Sequence, residues 1–275
     1  MANSPKKELK RFLDEDVGKG DITSKLLQKK KIKARIITRE KTIVAGSKYA
    51  KEIFSLKKCK VVIKKKDGVI AKPNQTILEI SGNAGDILTC ERTALNLLSR
   101  MCGIATQTNN LKRQIRKVDS RSKIYATRKT APGLRFFDKE AVMIGGGEKH
   151  RMTLGDMIMI KDNHLASEGS LLQLLAKAKK KKSKIEIEVE TQNNALLCAK
   201  LGVDIIMLDN FSPIQIKKTI KKLTELGLRK KVVLEASGRI NSKNIKKYAE
   251  TNIDMISVGS ITNSVIGIDL SLEIS

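Results

Sequence analysis

The chain has 275 residues, 40% of them hydrophobic, with 55 Lys+Arg against 29 Asp+Glu and a formal charge of +26. That hydrophobic fraction is enough for a packed core and excludes a disordered basic tail as the whole molecule, while the length admits one large or two ordinary domains. With 3% aromatic residues and no Trp, the chain is poorly supplied for stacking single-stranded bases, and its lysine runs at 29–31, 64–66 and 179–182 are scattered over both halves, as on a solvated surface.

In chain order, residues 1–10 carry no apolar signal-like stretch, and nowhere do roughly 18 consecutive apolar residues occur, so a cytoplasmic chain with no membrane partner is expected. Residues 32–38 and 61–66 read as strands and 48–56 as a helix. Residues 68–71 and 77–80 read as two short antiparallel strands parted by a turn at Pro73-Asn74. Together they predict an α+β domain over 1–105. Beyond Leu88 the apolar residues Ala94, Leu95, Leu98, Met101 and Cys102 recur at helical spacing, which predicts a long joining helix interrupted near Gly103. Cys59, Cys90, Cys102 and Cys198 show no C-x-x-C spacing and no adjoining histidine cluster, so neither a zinc site nor a disulfide framework is expected.

From there on, β-branched runs at 123–126, 157–160, 185–189, 205–208, 232–235 and 255–258 alternate with amphipathic stretches at 133–144, 170–180, 194–201, 213–226 and 242–251. Strands alternating with helices, without hairpin signals, make parallel βα units, and six of them predict a barrel that closes or nearly closes over 106–264. In such a barrel the working residues stand at the C-terminal ends of the strands. That rule selects Thr127-Arg128-Lys129, Lys161, Glu188, Asp209, Ser237-Gly238 and Gly259-Ser260. The run Gly145-Gly146-Gly147-Glu148-Lys149-His150-Arg151 is expected to lay His150 and Arg151 over the same mouth.

This set predicts Arg128, Lys129 and Lys161 in one region and Glu188 and Asp209 in another. Clustered cations suit a ligand with several negative charges, and arginine takes planar carboxylates with its bidentate fork. Two carboxylates opposite them suit Mg²⁺ or sugar hydroxyls. Each residue also has a plainer reading: a solvated Arg-Lys pair, a flexible glycine loop, one acidic face of the strand 185–190, or a capping role for His164.

Several runs carry a resemblance. They include Glu15-Asp16-Val17-Gly18-Lys19-Gly20-Asp21-Ile22-Thr23-Ser24, Glu91-Arg92-Thr93-Ala94-Leu95-Asn96, Thr127-Arg128-Lys129-Thr130-Ala131-Pro132-Gly133 and Lys161-Asp162-Asn163-His164. With Leu208-Asp209-Asn210, Glu235-Ala236-Ser237-Gly238 and Ser257-Val258-Gly259-Ser260 they span nearly the whole chain, which resembles the quinolinate phosphoribosyltransferase family. The resemblance implies an N-terminal α+β sandwich domain joined by the tail 265–275, packed beside an open, seven-stranded, TIM-like βα barrel. It implies a homodimer or higher homo-oligomer with sites shared across subunits, Arg92 being the residue that crosses over.

By the same likeness Arg92, Thr127, Arg128, Lys129, His150, Arg151 and Lys161 would bind quinolinate, with Lys129, Lys161, Glu188 and Asp209 catalytic. Glu188, Asp209, Ser237, Gly238, Arg239, Val258, Gly259 and Ser260 would hold phosphoribosyl pyrophosphate, and Glu188 and Asp209 its Mg²⁺. The implied reaction yields nicotinate mononucleotide, pyrophosphate and CO₂ in NAD biosynthesis. Two alternatives stay open: a molybdenum-transport-associated relative acting on another anionic ring, and a basic protein that binds nucleic acid.

Overall fold

In the computed structural model, which describes residues 4–118 and 121–274, contacts divide the chain into two units. One comprises Met1–Asn109, Thr130–Gly146 and Ser264–Ser275, the other Asn110–Lys129 and Gly147–Asn263. Residues 1–3 of the N-terminal stretch and the last residue of the tail, both read above, lie outside the described residues.

The first unit contains α1 (Pro5–Val17), β1 (Lys31–Thr38), β2 (Thr42–Ile43), α2 (Ser47–Leu56), β3 (Lys60–Ile63), β4 (Ile70–Ala71), β5 (Thr76–Asn83) and most of α3 (Ala84–Arg116), together with α4 (Arg135–Ile144). The tail returns as Leu270–Ile274, which is β12 in chain order. The main sheet runs β12-β1-β5-β3, all antiparallel. α1 was not foreseen, because only Leu9, Phe12 and Leu13 mark its apolar face in a run of charges. Pro5 at its first turn and the buried Leu9 and Leu13 hold it. Phe137 of α4 is the centre of an aromatic cluster, with Tyr49 edge-on at 5.0 Å and Phe12 at 5.7 Å. Beside it Arg100 grips the fully buried Asp138 through two bonds of 2.7 and 2.9 Å. Burial pushes the Asp138 carboxyl up, against the pull of that guanidinium.

Two expectations about this unit fail. Residues 68–71 and 77–80 do not pair with each other: β4 pairs with β2, and β5 lies between β1 and β3. Ile77, Leu78 and Ile80 are buried, so β5 is a central strand. The turn at Pro73-Asn74 is anchored to the end of β1 through Asn74 N–H and Thr38 C=O at 2.7 Å. Nor does Gly103 break a helix, since α3 runs unbroken from Ala84 to Arg116. The glycine is there for clearance, because a Cβ on it would stand 2.1 Å from the Ile266 carbonyl oxygen. Gly103→Ala is therefore expected to cost about 1–3 kcal/mol through overpacking, despite alanine's better helix propensity. A denaturant midpoint at or above that of the parent would refute this.

The second unit is a parallel sheet of β6 (Lys123–Tyr125), β7 (Ile158–Ile160), β8 (Ile185–Val189), β9 (Ile205–Asp209), β10 (Val233–Ser237) and β11 (Met255–Ser257), in the order β6-β11-β10-β9-β8-β7. A seventh segment meets β6 at a single parallel bridge between Glu148 and Tyr125. Helices α5 (Asp162–Glu168), α6 (Leu171–Lys179), α7 (Gln192–Lys200), α8 (Pro213–Glu225), α9 (Ile245–Ala249) and α10 (Ser260–Asn263) follow the strands. α8 shows how sequence fixes a boundary: Ser212 and Gln215 form a reciprocal cap and Pro213 opens the helix. Strand alternation puts Ile187, Ile206, Leu208, Leu234, Ala236 and Ile256, all fully buried, on one face, and the polar set Glu186, Glu188, Asp209, Glu235 and Ser237 on the other. No helix among the described residues is long and apolar enough to cross a membrane.

Candidate active site

The C-terminal ends of β6 to β11 deliver the expected side chains. After β6, the Thr127 hydroxyl accepts the Lys129 N–H at 3.1 Å, and the Lys129 carbonyl accepts the Thr262 hydroxyl at 2.8 Å, which ties this loop to α10. Between them Arg128 is half-buried, and its Nε, shielded from solvent, has no hydrogen-bond partner. Ser260 Oγ, at the start of α10, is buried and unpartnered in the same way.

Lys161 follows β7 and caps α5, its N–H donating to His164 Nδ1 at 3.0 Å. His164 thus takes the plain capping role. The Lys161 ammonium pairs with Glu188 near the end of β8. This corrects the expected segregation of cations from carboxylates: Lys161 and Glu188 meet because β7 and β8 are neighbours in the sheet.

Asp209 ends β9 and accepts the Asn210 side-chain amide at 2.6 Å. The Asn210 N–H bonds the Ser237 carbonyl at 2.9 Å, so the ends of β9 and β10 are locked together. Gly238 is required there twice over: its φ is +99°, and a Cβ would stand 2.3 Å from Asn210 Oδ1. Arg239 is exposed, and its carbonyl is held by Asn241 and Asn244. Val258 is fully buried, and its N–H is spent on the Tyr125 carbonyl. At Gly259 a Cβ would come within 3.3 Å of the Lys129 side chain.

His150 is not laid over the mouth. The His150 ring, 6% exposed, turns inward between the fully buried carboxylates of Glu235, at 3.1 Å from its Nε2, and Glu186, at 3.3 Å. Burial pulls its pKa down, but the two carboxylates prevail and push it up to about 9. Its Nδ1, however, accepts the Arg151 N–H at 2.8 Å, a bond that stands only while Nδ1 is bare. Burial raises the Glu186 carboxyl.

These three residues bring ligand-type atoms within 4.8 Å of one another. Arg151 reaches the sulfur of Met159. Burial and then the like charge of Arg128 pull its pKa below the ordinary value. His150 and Arg151 also line a cavity of about 1130 Å³ walled by Lys123, Ile205, Val233 and Met255 at the N-terminal side of the strands.

Glu186 and Glu235 escaped the strand-end rule. Each lies two residues before a chosen one, Glu188 and Ser237, on the same strand face, so period-2 alternation alone points them into the barrel. In the other unit Arg92 is exposed on α3. The N-terminal signature is pinned to that helix, Asp21 accepting Thr89 at 2.9 Å and Asp16 accepting Thr93 at 3.2 Å.

The chain matches the model for the quinolinate phosphoribosyl transferase C-terminal domain over residues 104–273 and that for the N-terminal domain over residues 21–102. It is 40% identical over 255 residues to a probable carboxylating nicotinate-nucleotide pyrophosphorylase of Archaeoglobus fulgidus, covering 93% of this chain and 98% of that one. It is 36% identical to the carboxylating nicotinate-nucleotide pyrophosphorylase of Dictyostelium discoideum, covering 98% of this chain and 95% of that one. Among solved structures, the nicotinate-nucleotide pyrophosphorylase of Ehrlichia chaffeensis superposes with a TM-score of 0.93 at 38% identity, covering 100% of both chains. That of Francisella tularensis gives 0.91 at 37%, covering 99% and 98%. Both domains in order, the strand-end residues and this likeness along the full length place the chain in the quinolinate phosphoribosyltransferase family.

Proposed function

We propose that this chain makes nicotinate mononucleotide, pyrophosphate and CO₂ from quinolinate and phosphoribosyl pyrophosphate in NAD biosynthesis, at the C-terminal mouth of β6–β11. The observation that carries the assignment of the site is the buried, unpartnered Nε of Arg128 beside a second guanidinium, Arg151, whose pKa its charge helps to lower. Like charges brought together with a donor left unbonded favour an anion placed between them. Quinolinate is a planar dianion, and the guanidinium fork fits its carboxylates. Thr127, Lys129 and Lys161 complete the quinolinate set, and His150, expected there from the sequence, lies behind Arg151, holding its backbone N–H.

The ring nitrogen attacks C1 of the ribose as the bond from C1 to the pyrophosphate oxygen breaks and pyrophosphate leaves. The carboxylate next to that nitrogen then leaves as CO₂, its bonding pair stays on the ring carbon, and a proton replaces it. Fixed cations stabilise both the bound dianion and the electron density left on the ring. Glu188 and Asp209 face the sugar, where positive charge develops. Gly238, Gly259 and the Ser237 and Ser260 hydroxyls take the phosphates, with Arg239 at the rim. Val258 contributes by packing.

Glu188 and Asp209 end adjacent strands, and their hard oxygens fit Mg²⁺ completed by phosphate. That ion would supply charge neutralisation on the departing pyrophosphate. A homodimer in which Arg92 enters the neighbouring site accounts for an arginine left exposed on α3. The test is a substrate panel with Mg²⁺: quinolinate is turned over, and nicotinate and other ring dicarboxylates are not. Turnover of a different ring acid in preference would favour the alternative relative.

A further inference from the structure

The interior of a βα barrel is ordinarily filled by layers of bulky side chains, and at the N-terminal end of this one it is not. A cavity of about 1130 Å³ opens there, enough for a nucleotide-sized ligand, since small-molecule pockets run to about 300–1,000 Å³. Its apolar wall comes from the barrel-facing side of the strands: Val233 lies two residues before Glu235 on β10, and Ile205 four before Asp209 on β9. Ile205 is half-buried and Val233 is 39% exposed, so both leave apolar surface open in the cavity. None of Arg128, Lys161, Glu188, Asp209, Ser237 and Gly259 lines it.

The charge on the cavity wall is one-sided. Arg121, Lys184 and the pair Lys230 and Lys231 stand in the segments that lead into β6, β8 and β10, and none of them has an acidic partner among the described residues. The two carboxylates on the same wall are engaged: Asp204 accepts the Ile185 N–H at 2.8 Å, and Asp254 accepts Arg229 and the Leu234 N–H, each at 2.8 Å. Lys123 is answered by Glu148 at 3.3 Å. Unanswered cations around an apolar hollow fit a flat apolar group that carries several negative charges at one end. A nucleic-acid strand would instead call for a basic stripe.

We propose that the N-terminal end of the barrel is a second ligand site, distinct from the residues that hold phosphoribosyl pyrophosphate, and that it takes a nucleoside di- or triphosphate. The base lies against Val233 and Ile205, and the phosphates lie among Arg121, Lys184, Lys230 and Lys231. The assignment does not depend on the reaction proposed for the other end of the strands.

Isothermal titration of the full chain with ATP is expected to show saturable binding that persists in saturating phosphoribosyl pyrophosphate. Lys184→Glu combined with Lys230→Glu should weaken it about tenfold or more, the worth of charge-assisted bonds to phosphate. Lys29→Glu combined with Lys30→Glu, the same change in net charge at exposed lysines of the other unit, should leave it as it was. Inorganic tripolyphosphate should bind about tenfold more weakly than ATP, because without a base the apolar wall stays in water.

No binding of ATP by the parent overturns the proposal, and so does binding abolished by phosphoribosyl pyrophosphate, which would put the ATP at the catalytic mouth. Equal losses in the two double variants also overturn it, by making the effect one of net charge alone. Tripolyphosphate binding as tightly as ATP would remove the nucleoside from the proposal and so contradict it. A single-stranded RNA oligonucleotide that binds more tightly than ATP and displaces it would assign this surface to nucleic acid instead.

Discussion

Arg128→Ala is expected to lower kcat/KM for quinolinate by about 10²–10³-fold, the range for losing one fixed charge-stabilising donor, while leaving the fold as stable as before or slightly more so. The two halves of this result have one cause. Arg128 has an unpartnered buried Nε and weighs on Arg151 as a like charge. A structural arginine would lose a bonded partner on truncation, and stability would fall. Here truncation removes an unbonded donor and a repulsion. Arg128→Lys should recover only part of the activity, because an ammonium cannot make the two parallel bonds of the guanidinium fork. Parallel loss of Tm and activity in Arg128→Ala would show that the residue holds the fold instead.

Lys161→Ala is expected to cost a comparable factor, about 10²–10³-fold in kcat/KM, but with a different stability signature. The Lys161 ammonium pairs with Glu188, whose side chain is 14% exposed, so its loss leaves a largely buried carboxylate without its cation. A modest loss of stability should therefore accompany the loss of turnover, in contrast to Arg128→Ala. Lys161→Met, which keeps the bulk, should show the same kinetic defect. Lys180→Ala is the control, because this lysine lies in an exposed run after α6, and neither turnover nor Tm should move. Equal losses at Lys161 and Lys180 would mean that the general charge of the chain, and not its placement, supports the reaction.

Much of this arrangement was legible in the sequence, for reasons that differ by element. The strands of the barrel are short β-branched runs with turn residues at their ends, and β8 coincides with the run 185–189. The strand-end rule then reached Lys161, Glu188, Asp209 and Ser237 without any geometry. Local pattern could not show which strands pair. The hairpin expected across Pro73-Asn74 is absent because β5 is claimed by β1 and β3, a long-range choice. Gly103 read as a helix breaker because a sequence shows the missing side chain and hides the Ile266 carbonyl that needs the space.

The inward turn of His150 was hidden for a related reason: it depends on Glu186 and Glu235, from strands 36 and 85 residues away in the chain. The +26 charge of the whole chain pointed toward polyanions in general, whereas the chemistry proposed here uses a few of those cations, fixed by bonds at strand ends.

The most direct test follows the carbon that must leave. Quinolinate labelled with ¹³C in the carboxylate beside the ring nitrogen, given with phosphoribosyl pyrophosphate and Mg²⁺, should release labelled CO₂ in equal amount to nicotinate mononucleotide formed, with no label in the nucleotide. Arg128→Ala should depress both together. Label retained in a nucleotide product, or CO₂ released without phosphoribosyl transfer, would contradict the account.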